Sequence, residues 1–166
     1  FFVISGYLIA GIIKREIEEK KFSFIGFYER RVRRIFPALF GVLIFSTILG
    51  FLFLLPSDFI ITLRGLIGTL FFVSNLVFWR DFSGGYFGAT EDGLIPLVHT
   101  WSLSVEEQFY VFFPLFLVLL YKFKFNRLFI TSILILGFFT SLFLSAYFIK
   151  EKSVAVFFLT PFRIWE

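Results

Sequence analysis

The chain has 166 residues, of which 58% are hydrophobic, and 30 of them are phenylalanine. Soluble proteins, in which about half of the residues are apolar, do not have this composition, because a soluble core cannot bury so many rings. The net charge of +4 is modest, and its clustering beside apolar sequence favours a membrane edge over nucleic acid as the partner. Without cysteine, and with one histidine outside any HExxH pattern, we expect neither a disulfide nor a metal. The composition therefore predicts an all-α, polytopic transmembrane helical bundle in contact with membrane lipid.

About five apolar segments follow one another, at 1–13, 36–55, 59–79, 105–121 and 128–149. Segments 36–55 and 128–149 have the ~20 residues that a helix needs to cross a ~30 Å hydrocarbon core, whereas 105–121 is at the lower limit. Segment 1–13 has no initiator Met, basic n-region or small-residue cleavage site, so we do not expect it to be a signal peptide. We interpret the sequence as an internal fragment of a longer polytopic protein.

The connections between these segments differ in charge. The stretch at 14–34, KREIEEKKFSFIGFYERRVRR, carries eight lysines and arginines, so the positive-inside rule places it in the cytoplasm. The tripeptide Pro-Ser-Asp at 56–58 predicts a tight polar turn on the opposite side. The stretch at 80–96 contains four glycines and three acidic residues, which predicts a Gly-rich loop.

The path of segment 59–79 stays open at this point. Lys122, Lys124 and Arg127 also indicate a cytoplasmic position, but three full crossings after Arg34 would place them outside. Either the positive-inside signal fails there, or 59–79 enters and leaves the membrane on the same side. Its Gly, Asn and Arg content fits re-entry, since irregular backbone at membrane depth needs protein or water around it.

The sequence HTWSLSVEEQFY, at 99–110, places polar residues at the start of the fourth apolar segment. On a helix, His99, Ser102, Glu106 and Tyr110 share one face. Such a stripe would line a cavity, with His99 as a general acid or base and Glu106 as the partner that orients or charges it. Because helix rise separates these two by roughly 10 Å, they would cooperate only through Ser102, water, substrate or another segment.

A structural interpretation of the same motif competes with the polar stripe. Ser104 and Glu107 match a capping box before an apolar run, with Ser104 as the N-cap and Glu107 at N3. Acidic residues in a first turn also complement the helix dipole. Both interpretations hold if Glu107 caps the helix while Glu106 faces a site.

An arginine cluster, in YERRVRRIFP, forms two overlapping R-x-x-R pairs, Arg30 with Arg33 and Arg31 with Arg34. Each pair shares a helix face, and guanidinium forks suit phosphate oxygens. The alternative is an orientation signal at the membrane edge. Pro37, just after the cluster, suits the first turn of the following helix.

Two further polar positions interrupt apolar sequence. Ser5 and Gly6 form a small-residue patch that allows close helix approach, and no G-x-S-x-G elbow marks Ser5 as a nucleophile. Arg64 is either buried and functional or extends its charge toward the surface.

Three motifs follow one another along the chain: FFVISGYLIAGII, FYERRVRRIFPAL and PLVHTWSLSVEEQFYVFFPL. Together they resemble the membrane-bound acyltransferase-3 family, the bacterial O-acetylases of lipopolysaccharide, peptidoglycan and other glycans. The resemblance implies a multi-pass protein of the bacterial inner membrane that moves an acyl group, usually acetyl from acetyl-CoA, onto a glycan hydroxyl. Residues 1–166 would be part of one transmembrane acyltransferase domain, without its first helix and its C-terminal helices.

The same resemblance implies site residues. The family's R-x-x-R motif falls on Arg31 and Arg34, with the other two arginines as the overlapping pair, and would bind acyl-CoA at the cytoplasmic edge. Its S-x-x-x-E motif falls on Ser102 and Glu106. The histidine usually taken as catalytic lies in the family's first helix, so His99 matches a different part of the pattern.

Two other functions stay open from the residues alone. Arg64, Asn75 and Glu106 in apolar sequence would suit a transporter or flippase of glycan or lipid-linked substrates. A non-catalytic membrane scaffold would use the same polar residues as caps and anchors.

Overall fold

The computed structural model describes residues 2–81, 96–123 and 125–166. In these ranges every regular element is helical, which confirms the all-α expectation. The α-helices in chain order are α1 (Phe2–Glu18), α2 (Phe24–Phe53), α3 (Pro56–Leu70), α4 (Ser74–Asp81), α5 (Thr100–Lys122), α6 (Arg127–Phe148) and α7 (Ser153–Phe158), followed by a 3-10 turn at Thr160–Phe162. Most of the predicted Gly-rich loop at 80–96 lies outside the described residues.

Three of the described helices, α2, α5 and α6, are long and apolar enough to cross a membrane, judged by length and composition. They contain the predicted segments 36–55, 105–121 and 128–149 almost completely. The other two predicted segments are not confirmed as spans: 1–13 belongs to the 17-residue helix α1, and 59–79 is divided between α3 and α4. Three of the five predicted apolar segments therefore lie in candidate spans within the described residues.

Helix α2 begins at Phe24, well before the expected start at Phe36. The Ser23 hydroxyl accepts a hydrogen bond from the amide of Gly26 at 3.4 Å, which caps the longer helix. Pro37 lies inside α2, so the prediction that it occupies a first turn is wrong. A proline inside a helix removes one hydrogen bond, and a helix of 30 residues keeps the others. The arginine cluster is thus continuous with the spanning part of α2.

Helix α5 also begins earlier than the capping-box interpretation requires. Its first residue is Thr100 and its N-cap position is His99, so Ser104 lies within the helix and the prediction of a cap at Ser104 is wrong. Ser104 is fully buried, and its hydroxyl lies 2.7 Å from that of Ser74 on α4. A tertiary partner has replaced the local hydrogen bond that the sequence pattern suggested.

Helices α3 and α4 form an antiparallel hairpin. Between them Phe72 adopts a left-handed φ of 53°, which reverses the chain. A Cβ atom on Gly68 would lie 2.9 Å from Val77 and 3.0 Å from the backbone of Ser74, so glycine is needed for this close approach. Farther from the turn, Arg64 on α3 lies 4.0 Å from Asp81 on α4. The start of α3 and the end of α4 therefore lie toward the same end of the hairpin, opposite the turn.

The hairpin bears on the path of segment 59–79. Its reversal at Phe72 fits the re-entrant alternative, in which the segment enters and leaves the membrane on one side. Helices α1 and α5 run in the same direction, because Ser5 contacts Glu106 and because Ile13 and Leu117 share one core cluster. Lys122 therefore lies at the end of the bundle that carries the basic stretch 14–34, as the positive-inside rule requires.

Candidate active site

Glu106 is a buried carboxylate where α1 meets α5, with only 8% of its surface exposed. Its Oε1 accepts a hydrogen bond from the Ser5 hydroxyl at 2.8 Å, and the Tyr110 hydroxyl donates to the same oxygen. Tyr110 follows Glu106 by four residues, so both project from one face of α5. Gly6, the next residue of α1, lies beside the ring of Phe109, where an added Cβ would be 3.8 Å from the ring. The site therefore depends on side chains of both helices.

Arg31 brings α2 into the same cluster. Its guanidinium carbon lies 3.1 Å from the centre of the Tyr110 ring, a cation–π contact. Its Nη1 lies 3.9 Å from Oε1 of Glu107, and both side chains are largely buried. Tyr110 thus contacts Glu106 with its hydroxyl and Arg31 with its ring, which makes it the link between the carboxylate and the guanidinium.

The two adjacent glutamates line different cavities. Glu106 and Ser5 line a cavity of about 740 Å³ between α1, α5 and α6. Glu107 and Arg31 line a cavity of about 300 Å³ between α2, α5 and the hairpin turn. Oε1 of Glu107 is buried without a hydrogen-bond partner among the described residues. The smaller cavity therefore contains an unsatisfied carboxylate oxygen beside a buried arginine.

A buried hydroxyl cluster attaches the hairpin to α5. Thr69 and Ser74 of the hairpin lie 2.7 Å from Thr100 and Ser104, respectively, measured between hydroxyl oxygens. The four side chains are almost completely buried. Each of these four hydroxyls therefore has a hydrogen-bond partner within the bundle, as buried polar groups of a membrane protein require.

Gln108 secures the hairpin turn next to the smaller cavity. Its side-chain amide donates to the carbonyl of Phe72 at 2.9 Å and to Oδ1 of Asn75 at 2.9 Å. Its carbonyl oxygen accepts a hydrogen bond from Thr160, and Asn75 donates to the carbonyl of Phe158 at 3.1 Å. Gln108 therefore joins the hairpin, α5 and the C-terminal turn through one side chain.

His99 and Ser102 lie apart from this carboxylate cluster. His99 is exposed at the N-cap of α5, and the Ser102 hydroxyl donates to its carbonyl at 3.1 Å. The predicted polar stripe is therefore divided: Glu106 and Tyr110 form the cluster, whereas the other two residues occupy the helix start. A catalytic role for His99 or Ser102 stays a prediction.

The arginine cluster is divided as well. Arg30 forms an ion pair with Glu16 at 2.8 Å and Arg33 forms one with Glu29 at 2.7 Å, both at the surface. Arg34 is exposed and makes no ion pair within the described residues. Only Arg31 turns into the bundle, where it meets Tyr110. The binding of phosphate by these arginines stays a prediction.

The described ranges contain no group of three or more His, Cys, Asp or Glu side chains that could hold a metal ion. Acid–base and electrostatic chemistry at Glu106 and Arg31 is what the described cluster offers.

The sequence matches the family described as an acyltransferase domain over residues 1–163. The chain belongs to the acyltransferase-3 family. The acyltransferase-3 chain is 40% identical to an uncharacterized protein of Haemophilus influenzae over 157 residues, which are 91% of this chain and 62% of that protein. It is 35% identical over 171 residues to the O-acetyltransferase OatA of Staphylococcus aureus strain NCTC 8325, covering 99% of this chain and 27% of OatA. No solved structure matches the sequence.

Sequence reasoning missed two members of the cluster in this acyltransferase-3 chain. Ser5 was interpreted as a packing residue, and the structure shows that it also donates to Glu106. Glu107 was interpreted as a cap, and the structure places it against Arg31. A polar residue in apolar membrane sequence often indicates a functional site, and Ser5 is such a residue. Arg64 is 56% exposed and pairs with Asp81, so its charge extends toward the surface.

Proposed function

We propose that this acyltransferase-3 chain is part of an integral membrane O-acetyltransferase of the bacterial inner membrane. The enzyme moves an acetyl group from acetyl-CoA to a hydroxyl of a cell-surface glycan, such as lipopolysaccharide or peptidoglycan. The family match, the likeness to OatA and the three candidate spans support this proposal. The observation that carries it is the buried Glu106, held by Ser5 and Tyr110 beside Arg31.

Glu106 acts on the acceptor in this proposal. The oxygen of the acceptor hydroxyl forms a bond with the acyl carbon, and the carbon–sulfur bond of the thioester breaks. The hydroxyl proton passes to Glu106 as general base, and the CoA leaves as thiolate and takes up a proton. A carboxylate inside the bundle suits this role because hydrogen-bond donors fix its position before the substrate arrives.

Arg31 and Arg34 bind the donor in this proposal. Guanidinium forks match phosphate oxygens, and α2 presents the arginines at the basic end of the bundle, where a cytoplasmic CoA would arrive. Arg30 and Arg33 add positive charge around the same turns of α2, although each is paired with a glutamate. Arg31 also contacts the ring of Tyr110, whose hydroxyl donates to Glu106. Tyr110 would therefore belong to both the donor site and the acceptor site.

The hairpin favours a second candidate, a transporter or flippase of glycan or lipid-linked substrates. Broken helices that place polar side chains at membrane depth are typical of transporters. In the hairpin, Ser74 and Asn75 are fully buried beside the turn. The family match argues for the acyltransferase, and protection of the arginine cluster by acetyl-CoA separates the two functions.

The test uses the full-length protein in proteoliposomes with radiolabelled acetyl-CoA and a glycan acceptor. Glu106→Gln keeps the shape of the side chain and removes its charge, so transfer should fall at least ten-fold while the folded yield stays at the wild-type level. Glu29→Gln, on the surface of α2, is the matched control and should transfer normally. Transfer at the wild-type rate by Glu106→Gln would refute the proposed role of the carboxylate.

A further inference from the structure

The two oxygens of the Glu106 carboxylate have different surroundings. Oε1 accepts from two hydroxyls that come from different helices, Ser5 on α1 and Tyr110 on α5. Oε2 accepts no hydrogen bond from a described residue, and it is not among the fully buried polar atoms that lack a partner. Glu106 itself lines the cavity of about 740 Å³. One oxygen is therefore saturated within the protein, and the other is open.

This asymmetry fixes the rotation of the carboxylate. With a single donor, the group could exchange its oxygens by rotating about its last bond, since that torsion is broad. Two donors that converge on Oε1 from different helices oppose this rotation. The Tyr110 donor comes from the same helix face, four residues along, whereas the Ser5 donor exists only while α1 is docked on α5.

We infer that Ser5 is a positioning residue, which together with Tyr110 holds Oε1 of Glu106 so that Oε2 faces the reacting hydroxyl in the larger cavity. The inference rests on the proposed role of Glu106 as general base. In this inference Ser5 acts on the reaction through the carboxylate, by its hydrogen bond to Oε1. A carboxylate that is held in one orientation loses less entropy when the acceptor binds, so turnover is faster.

The inference explains why a serine stands in the apolar stretch of α1. Packing against α5 requires a small residue there, and alanine would satisfy that requirement as well as serine. What the serine adds to packing is its hydrogen bond with Glu106.

The experiment compares Ser5→Ala and Ser5→Thr in the full-length enzyme, with Ser145→Ala as the control. Ser145 is a buried serine of α6 whose hydroxyl donates only to backbone carbonyls, those of Ser141 and Phe162. Ser5→Ala should lower kcat about ten- to hundred-fold, the effect of a lost hydrogen bond to a charged group, with KM for acetyl-CoA unchanged. Ser5→Thr keeps the hydroxyl and should restore most of the turnover, and Ser145→Ala should leave kcat unchanged.

A double-mutant cycle separates positioning from packing. If Ser5 acts through Glu106, adding Ser5→Ala to Glu106→Gln should cause no further loss of kcat. Losses that multiply in the double variant, or a wild-type kcat for Ser5→Ala, would overturn the inference. If Glu106→Gln is inactive and Ser5→Ala is fully active, only the inference fails. If Glu106→Gln is itself fully active, the proposed role of Glu106 fails together with it.

Discussion

Glu106 and Glu107 are neighbours on α5, and their carboxylates line two different cavities on either side of that helix. Successive residues of an α-helix point about 100° apart, so adjacent side chains can serve separate compartments. Glu106 is held by two hydroxyl donors, whereas Oε1 of Glu107 is buried without a partner beside Arg31. The two carboxylates therefore have different electrostatic surroundings, although they lie on one turn of α5.

The first prediction concerns Glu107. Glu107→Gln removes a carboxyl group that lies 3.9 Å from Arg31 and whose charged form would repel the phosphates of the donor. We expect KM for acetyl-CoA to fall several-fold, with kcat within about two-fold of wild type, because the acceptor side is untouched. Initial rates at varied acetyl-CoA concentrations measure both constants. A loss of kcat as large as that of Glu106→Gln would show that the two carboxylates do not have separate tasks.

The second prediction concerns Arg31. Lysine keeps the charge but loses the planar fork and most of the stacking on Tyr110, so Arg31→Lys should weaken donor binding by about ten-fold. Arg33→Lys is the matched control, because Arg33 forms a surface ion pair with Glu29 and such pairs contribute at most about 1 kcal/mol. Equilibrium binding of acetyl-CoA in detergent tests both variants. If Arg31→Lys binds acetyl-CoA as tightly as Arg33→Lys does, the alternative is supported, in which the cluster is an orientation signal at the membrane edge.

The third prediction concerns the path of the chain through the membrane. These 166 residues contain no cysteine, so single cysteines introduced at Lys21, Lys122 and Ser57 can be labelled without background from this part of the protein. Because the hairpin turns back, Lys21→Cys and Lys122→Cys should react with an impermeant maleimide from the cytoplasmic side only. Ser57→Cys, at the opposite end of α2, should react from the other side. Labelling of positions 21 and 122 from different sides would require α3 and α4 to cross the membrane.

The fourth prediction tests the packing of the hairpin. Gly68→Ala places a methyl group 2.9 Å from Val77 and 3.0 Å from the backbone of Ser74, so α3 and α4 must move apart. Overpacking of this kind costs about 1–3 kcal/mol, which should lower the unfolding temperature in detergent. Gly41→Ala on α2 meets no atom within 4 Å and should leave the temperature unchanged or raise it. Equal unfolding temperatures for both variants would contradict the close contact.

The fifth prediction concerns His99, the only histidine of the chain. Its exposed position at the N-cap of α5 keeps it outside the carboxylate cluster, so His99→Gln should retain acetyl transfer within a few-fold of wild type. Transfer assays in membranes at equal protein abundance measure this. A loss comparable to that of Glu106→Gln would instead support the sequence-based assignment of His99 as an acid–base group.

The sequence predicted what depends on composition and on spacing along one helix. The all-α membrane class follows from the apolar content, and the common face of Glu106 and Tyr110 follows from their separation by four residues. The family could be recognised from motifs in order, because those motifs need no tertiary information. These predictions required only the composition of the chain and the geometry of a single helix.

The remainder depends on contacts between distant parts of the chain. The capping box at Ser104 was a sound local pattern, but Ser74, 30 positions earlier, supplies the partner of its hydroxyl. The hydrogen bond between Ser5 and Glu106 spans 101 positions, which no periodicity reveals. Segment 59–79 has the length of a span, and at its reversal the carbonyl of Phe72 accepts a hydrogen bond from Gln108, 36 positions later.

The hairpin also sets an order for the folding of the protein in the membrane. Thr69, Ser74 and Asn75 enter the bilayer with α3 and α4, but their partners on α5 are translated later. The carbonyl of Phe158, which receives the amide of Asn75, follows later still. The Thr69 hydroxyl can bond to the carbonyl of Gly65 within α3, but until those residues leave the ribosome Ser74 and Asn75 would lack these partners, a costly state in lipid. A nascent chain ending before α5 should therefore remain with the insertion machinery, and release of the hairpin into the bilayer should coincide with the arrival of α5.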